Sequence, residues 1–145
     1  LYNIIDVNII ERLYLFENVQ NSNEIRRKVM NNELSCSIIK ASLVVDSFQV
    51  ITAANKTAIS AKMNQITTKN IYTEVLFNLS TSKNISRALI EFVDIVKGQN
   101  ISISRLSEFT DFDLIKKIYK IEEDELNVSN FINSIVSRIS CKDFM

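Results

Sequence analysis

The part of the sequence best suited to chemistry is a run without acidic residues that carries three lysines. No aspartate or glutamate occurs between Asp46 and Glu74, whereas Lys56, Lys62 and Lys69 all lie within this run. Lysine side chains neutralise phosphate groups, so the run is a candidate contact for a nucleic-acid backbone. The whole chain has 17 basic and 17 acidic residues and no net charge, so electrostatic recognition must come from local patches of this kind.

Polar and aromatic residues accompany these lysines. Asn55, Thr68, Asn70 and Tyr72 have side chains that hydrogen-bond to unpaired nucleotides or stack on them. The alternative is that the lysines form an ordinary solvated surface, which is the usual role of scattered charge on a helix and a loop. A second basic group, Arg-Arg-Lys at residues 26–28, has the same two interpretations and is the weaker candidate.

The composition offers little for catalysis. The chain has no histidine, no tryptophan and no proline, and Gly98 is its single glycine. Histidine-based triads, histidine metal sites and glycine-rich phosphate loops are therefore excluded. The acidic residues at 122–125 lack the glycine and the spacing of a calcium loop. We expect no catalytic residue, no metal site and no cofactor.

The two cysteines, the first residues and the lengths of the apolar runs indicate the cellular compartment. Cys36 and Cys141 are far apart and form no metal-binding motif. The first residues lack the basic region and apolar core of a signal peptide, so we expect free thiols in a reducing compartment. No apolar run approaches the ~20 residues that span a bilayer, so we expect no membrane partner.

The apolar patterns predict one α+β domain over residues 1–145. Hydrophobic residues make up 46% of the chain and charged residues 23%, which is the balance of a globular protein. We expect a small antiparallel or mixed sheet packed against several α-helices. β-branched and aromatic residues predict strands at 9–16 and 72–79. Capping residues before apolar periodicity predict helices that begin near Ser22, at Asp46 or Ser47, and at Asn84, Asp111 and Ser129.

The last predicted helix has the strongest amphipathic pattern in the chain. Apolar residues recur at helical spacing from Val128 to Ile139, and the tail CKDFM ends in Phe144 and Met145. A stripe of this kind usually forms core. This stripe is wide and an apolar tail follows it, which also suits docking onto a partner protein.

A family resemblance is carried by segments spread over nearly the whole chain. They are LYLFENVQNSNEIRRKVM at 13–30, LVVDSFQVITAANKTA at 43–58, TKNIYTEVLFNLSTSKNISRAL at 68–89, IVKGQ at 95–99, IKKIYKI at 115–121 and INSIVSRISCKDFM at 132–145. In order and type they resemble the PRPK-binding protein family, the small kinase-associated subunit of the KEOPS (or EKC) complex. The chain departs from the family near 92–95, where a further strand is usual and two helical patterns here run together, and in having Ala41 and Ser47 where prolines are usual.

The resemblance implies a non-catalytic role. KEOPS makes the threonylcarbamoyl modification of adenosine next to the anticodon in tRNAs that read ANN codons. Within it the small subunit binds and stimulates a PRPK-type kinase-like ATPase and holds the acceptor end of tRNA with its CCA tail. The complex is further linked to telomere maintenance and transcription, and we expect the chain in the nucleus and the cytoplasm.

Together with the resemblance, the acid-free run and the last predicted helix with its tail give two candidate sites. Candidate tRNA-binding residues are Asn55, Lys56, Lys62, Thr68, Lys69, Asn70 and Tyr72. Candidate kinase-binding residues are Ile132, Ile135, Val136, Ile139 and Phe144.

Two other functions stay open at this point. The chain could be a purely structural subunit of the complex that makes no RNA contact. It could also be a small enzyme acting on RNA or a nucleotide, which the lack of a nucleophile–base pair disfavours. We expect no small-molecule substrate.

Overall fold

The computed structural model describes residues 2–3, 10–11, 13–87 and 99–144, and over these residues the chain is mostly helical. Short 3₁₀-helices lie at Ala41–Leu43, Ile103–Glu108 and Lys142–Phe144. The α-helices that lie wholly within the described part are α1 Ser22–Met30, α2 Ser47–Lys62, α3 Ile71–Leu79, α4 Phe112–Tyr119, α5 Glu123–Leu126 and α6 Phe131–Cys141.

The strands of the described part are short and form two separate antiparallel pairs. Strand β1 (Tyr2–Asn3) pairs with β2 (Ile10–Glu11), and β3 (Leu15–Glu17) pairs with β4 (Gln99–Ile101). The strand expected at 9–16 is thus divided between the two pairs. Strands of two or three residues cannot form a layer, so the expected sheet packed against helices is not found among the described residues.

The prediction of a strand at 72–79, the clearest strand pattern in the sequence, is wrong, because these residues form helix α3. Asn70 starts the helix by accepting hydrogen bonds from the backbone amides of Tyr72 and Thr73, both at 3.0 Å. Residues 74 and 76–79 are all buried, so α3 has no wide polar face to reveal a helical period. A short run that is apolar nearly all round does not distinguish a buried helix from a buried strand.

Most of the predicted helix starts are confirmed by side-chain caps. The carboxylate of Asp46 accepts from the amide of Phe48 at 2.8 Å, and that of Asp111 accepts from the amide of Leu114 at 3.0 Å. Asn84 accepts from the amide of Arg87 at 3.0 Å, and residues 85–87 are helical. The last helix is capped by Asn130, one residue after the predicted Ser129. The single glycine, Gly98, suits a helix C-cap, but it lies outside the described residues, as does the departure near 92–95.

Three helices end in a residue with positive φ, and none of these residues is glycine. Asn32 follows α1 with φ of 59°, Asn64 follows α2 with φ of 54°, and Lys120 follows α4 with φ of 54°. After α2 the amide of Gln65 reaches back to the carbonyl of Ser60 at 2.8 Å, the long bond of a Schellman motif. The same bond after α1 joins the amide of Glu33 to a carbonyl of the last turn at 2.8 Å.

The core is formed where α2 packs on α3 and α6. Ala53, Ala54 and Ala58 of α2 are buried, and their small side chains let the neighbouring helices approach closely. A buried polar group crosses this core: Gln49 donates to the hydroxyl of Tyr119 at 2.9 Å, and that hydroxyl donates to the carbonyl of Leu79 at 2.5 Å. The main apolar cluster consists of Leu43, Ala53, Leu76, Leu79, Ile115, Tyr119, Ile121, Ile135 and Ile139.

Candidate functional site

The acid-free run of the sequence folds into most of α2, the connector at residues 63–70 and the start of α3. The connector begins beside the positive-φ residue Asn64, which redirects the chain after α2. It ends at Asn70, where a capping box starts α3: the amide of Asn70 donates to the hydroxyl of Thr73 at 3.3 Å, reciprocating the amide-to-side-chain bond of Thr73. Both ends of the connector are therefore fixed by hydrogen bonds that involve the backbone.

The middle of the connector is held by a buried acid. Glu74 is only 2% exposed, and one of its carboxyl oxygens accepts from the amides of Thr67 at 3.1 Å and Thr68 at 2.8 Å. The hydroxyl of Thr68 also bonds to the hydroxyl of Thr73 at 2.9 Å. The acid that closes the acid-free run in sequence thus lies beneath the connector, and its carboxyl does not face solvent.

Two of the three predicted lysines lie on the outside of this structure. Lys62 in the last turn of α2 and Lys69 before the cap of α3 are both exposed. Tyr72 is half-buried, and its carbonyl accepts from the hydroxyl of Ser37 at 2.7 Å. Asn70 reaches the end of α1, because its amide group donates to the side-chain oxygen of Asn32 at 2.9 Å. The connector, the end of α1 and the start of α3 therefore meet beside Lys69.

The third predicted lysine, Lys56, is engaged within the fold. Its side chain is 15% exposed, and its ammonium group donates to the carbonyl of Ile139 at 2.9 Å and pairs with Asp143 at 3.1 Å. A lysine that satisfies a carbonyl in the last turn of a helix stabilises that terminus. Lys56 thus secures the end of α6, and the structure does not bring it together with Lys62 and Lys69 as an exposed cluster.

Asn55 differs from the other predicted RNA contacts. It is half-buried on α2, and its side-chain oxygen is buried without a hydrogen-bond partner among the described residues. Nothing within the described chain explains this unpaired acceptor.

The predicted kinase-binding face divides into core and surface. Ile135 and Ile139 are 0% and 1% exposed and belong to the main apolar cluster, so the expectation that they form part of a docking face is wrong. Ile132 and Val136 are half-buried. Phe144, in the final 3₁₀ turn, is 89% exposed. The wide stripe is mainly explained by packing inside the chain, which leaves Ile132, Val136 and Phe144 on the surface.

The turn that presents Phe144 is anchored on the residues before it. Lys142 is buried, donates to the carbonyl of Phe77, and lies over the ring of Phe77 with 3.4 Å between the ammonium nitrogen and the ring centre. Asp143 is held by Lys56. Sequence reasoning missed this role of Lys142, because a lysine in an apolar tail normally extends to solvent.

Exposed apolar residues along α2 were also missed. Phe48 and Ile59 of α2, and Met63 directly after it, are each about half exposed, whereas Ala53, Ala54 and Ala58 are buried. Their spacing of 11 and 4 residues places them on one helix face, which is a signal that the sequence did contain.

The acidic run at 122–125 supplies the N-cap residue and the first three residues of the short helix α5, and it forms an ion pair with α6. Glu125 takes two hydrogen bonds from the guanidinium of Arg138, at 2.6 and 2.7 Å. These bonds lower the pKa of Glu125 to about 2. Glu123 accepts from Lys116, and this hydrogen bond raises the pKa of Lys116. Among the described residues no group of three or more metal-ligating side chains comes together.

The remaining sequence features are at the surface. Lys28 of the basic group at 26–28 pairs with Glu24 at 3.2 Å, and Arg27 is exposed. Cys36 and Cys141 are exposed free cysteines, and partial burial of the thiol raises the pKa of Cys36. Within the described ranges no helix has both the length and the apolar character to cross a bilayer.

Comparison with known proteins agrees with the resemblance found in the sequence. A family model described as kinase binding protein CGI-121 matches residues 16–93 and 89–143. The EKC/KEOPS complex subunit TPRKB of Danio rerio is 32% identical over an alignment of 155 positions, which covers 89% of each chain. The EKC/KEOPS complex subunit CGI121 of Candida glabrata is 26% identical over an alignment of 142 positions, which covers 79% of this chain and 80% of the relative. The chain therefore belongs to the CGI-121 family of kinase binding proteins.

Proposed function

We propose that this chain is a non-catalytic subunit of a KEOPS complex, where it binds and stimulates a PRPK-type kinase and helps to hold tRNA by its CCA end for threonylcarbamoyl modification. The observation that carries the RNA part is the connector, which follows the exposed Lys62 and contains the exposed Lys69, whereas Glu74, the first acid after them in sequence, is buried beneath it. The family and the names of its relatives, which are EKC/KEOPS subunits, support the complex and the kinase.

The RNA contact follows from charge and accessibility. Exposed lysine side chains attract phosphates, and binding releases the counterions condensed on the RNA. Exposed polar side chains of the connector, such as Gln65 and Thr67, are within the same loop and suit unpaired nucleotides. Lys56 is not part of this proposal, because it is paired inside the fold.

The RNA contact is tested by reversing the two exposed charges. The double variant Lys62→Glu, Lys69→Glu should bind a tRNA transcript more weakly. The slope of log affinity against log salt concentration should also become shallower, by about 1 for each phosphate that is no longer neutralised. Lys117→Glu with Lys120→Glu makes the same charge change at exposed positions on α4 and its end, and serves as the control. Equal effects of the two pairs would show that only overall charge matters. A transcript lacking CCA should bind both the native chain and the connector variant weakly.

The kinase contact is assigned to the exposed part of the C-terminal region. Phe144 is an aromatic side chain held out on an anchored turn, and Val136 is a half-buried residue of the preceding helix α6. Large aromatic side chains in such positions are frequent binding hot spots, so Phe144→Ala should weaken kinase binding about ten-fold or more. Val128→Ala, at an equally exposed apolar position before α6, is the matched control. Weakened binding in both variants, or in neither, would contradict the assignment to Phe144.

A purely structural role without RNA contact is the second candidate. The observation in its favour is the internal use of Lys56, which removes one of the three predicted cations from the surface. Unchanged tRNA affinity in the connector variant, together with normal assembly into the complex, would establish this role. We also propose that the pure chain turns over no ATP; turnover abolished by a point substitution would refute this.

A further inference from the structure

We propose that Glu74 is a positioning residue for RNA binding, which acts by holding the α2–α3 connector in a fixed shape and does not itself touch RNA. This inference rests on the proposed RNA contact. It starts from the position of Glu74, which is 2% exposed and hydrogen-bonds the amides of Thr67 and Thr68 from below.

The connector has few hydrogen bonds of regular secondary structure in its middle. Between the end of α2 and the cap of α3, the amides of Thr67 and Thr68 are bonded to the Glu74 carboxyl. A buried backbone amide without a hydrogen-bond acceptor raises the free energy of the fold. These two bonds therefore stabilise the observed conformation of the connector over others. The hydroxyl of Thr73 extends the same network to Thr68 and to the amide of Asn70.

A loop held in this way does not have to be ordered when RNA binds. Ordering flexible backbone and side chains on association costs free energy, and a pre-formed loop avoids that cost. Lys69 is one residue beyond Thr68, so the backbone anchored by Glu74 sets the direction in which this lysine leaves the connector. A looser connector would present the same charges with more freedom and bind more weakly.

Charge and positioning predict opposite outcomes when Glu74 is removed. If Glu74 mattered only as a negative charge near two lysines, its removal would strengthen binding to RNA. If Glu74 positions the connector, Glu74→Ala should weaken binding about ten-fold in spite of the more favourable charge. Glu74→Gln retains a side-chain oxygen that accepts from the same amides, so it should bind RNA within about two-fold of the native chain.

The experiment measures affinity for a tRNA transcript with its CCA end, melting temperature, and hydrogen exchange of the Thr67 and Thr68 amides. We expect Glu74→Ala to be folded, to exchange these amides faster and to bind RNA more weakly. We expect Glu74→Gln to be folded and to have nearly native amide exchange and RNA affinity. Glu33→Ala removes an exposed acid from the adjoining turn after α1 and controls for charge alone. Folded Glu74→Ala with native or tighter RNA binding would overturn the inference.

A second variant covers the case in which Glu74→Ala does not fold. Thr73→Val keeps the shape of the side chain and removes only the hydroxyl that links Asn70 and Thr68. It should weaken RNA binding in the same direction, and unchanged binding would overturn the inference. The Lys62→Glu, Lys69→Glu chain separates the two proposals. If it binds RNA normally, both fail; if it binds weakly while folded Glu74→Ala binds normally, only the positioning role fails.

Discussion

The connector between α2 and α3 and the C-terminal helix α6 use their most conspicuous residues in opposite ways. At the connector, Lys62 and Lys69 are exposed to solvent, whereas Glu74, the acid that follows them in sequence, is buried. In α6 the regular apolar stripe is turned mainly inward, with Ile135 and Ile139 in the core. The surface of the C-terminal region that remains apolar is centred on Phe144, which lies beyond the helix.

The role of a side chain in this fold therefore depends more on the groups that it contacts than on its residue type. Lys56 and Lys69 belong to the same acid-free run, yet Lys56 bonds to the carbonyl of Ile139 whereas Lys69 is exposed. A recognition surface is therefore identified by which charges the fold leaves outside, and a count of charges in the sequence overstates it. Substitutions in α6, in the final turn, at Lys56 and at Glu125 test this contrast.

The largest effect is expected from placing a charge on the inner side of α6. Ile139→Glu should destabilise the fold by on the order of 4 kcal/mol, because it removes core packing and buries a carboxylate. Thermal melting followed by circular dichroism measures this destabilisation. Val136→Glu, at a half-buried position of the same helix, should melt close to the native chain. Similar melting of the two variants would mean that α6 has no distinct inner side.

A smaller destabilisation is expected from releasing the final turn. Lys142→Ala removes the donor to the carbonyl of Phe77 and the cation over its ring, and should cost about 2 kcal/mol. Denaturant unfolding measures this cost, with Lys117→Ala as the exposed control. Kinase binding should weaken as well, because the turn that presents Phe144 is then without its anchor. Native stability of Lys142→Ala would contradict the buried contact.

Lys56→Met tests whether the paired lysine belongs to the fold or to the RNA surface. It should cost about 1 kcal/mol of stability, since the carbonyl of Ile139 loses a charged donor near the end of α6. Its effect on RNA affinity should be smaller than that of Lys69→Met. The two variants are compared by melting and by tRNA binding on the same samples, and a larger RNA effect for Lys56→Met would return this lysine to the recognition surface.

The smallest effect concerns acid stability of the pair between α5 and α6. Hydrogen bonds from Arg138 lower the pKa of Glu125 from 4.5 to about 2, so this pair stabilises the fold above the unfolded pKa. Its contribution should decline as the pH falls from 4.5 through about 2, because the unfolded chain then binds the proton more readily. Melting temperatures over this range should fall more for the native chain than for Glu125→Gln. Parallel curves would show that the pair contributes nothing.

Local signals explain which parts of the fold could be predicted from the sequence. Asp46 and Asp111 cap their helices with their own side chains, and a cap is visible in a few adjacent residues. Helix α3 could not be recognised, because its residues are buried nearly all round and its composition favours a strand. The role of Lys56 was equally ambiguous, since its partner Ile139 is 83 residues away in sequence.

The same distinction applies to the candidate site. The acid-free run marked the connector correctly as a basic segment, but no pattern along the chain indicates that Glu74 turns beneath it. That orientation depends on Thr67 and Thr68 folding back over α3, which is a contact between neighbouring segments and not a periodicity within one of them. The sequence shows the charges at Lys62 and Lys69, whereas the geometry that presents them depends on contacts that no local pattern shows.

The helix ends have a consequence for the unfolded chain. Asn32, Asn64 and Lys120 adopt positive φ, where a residue with a Cβ is destabilised by about 1–2 kcal/mol relative to glycine. Glycine at these positions would, however, widen the range of conformations open to the unfolded chain and so favour unfolding by about 0.4–1 kcal/mol. The folded chain is therefore strained at these three turns. Its unfolded state, however, loses less conformational entropy on folding than that of a chain with glycine at the same positions.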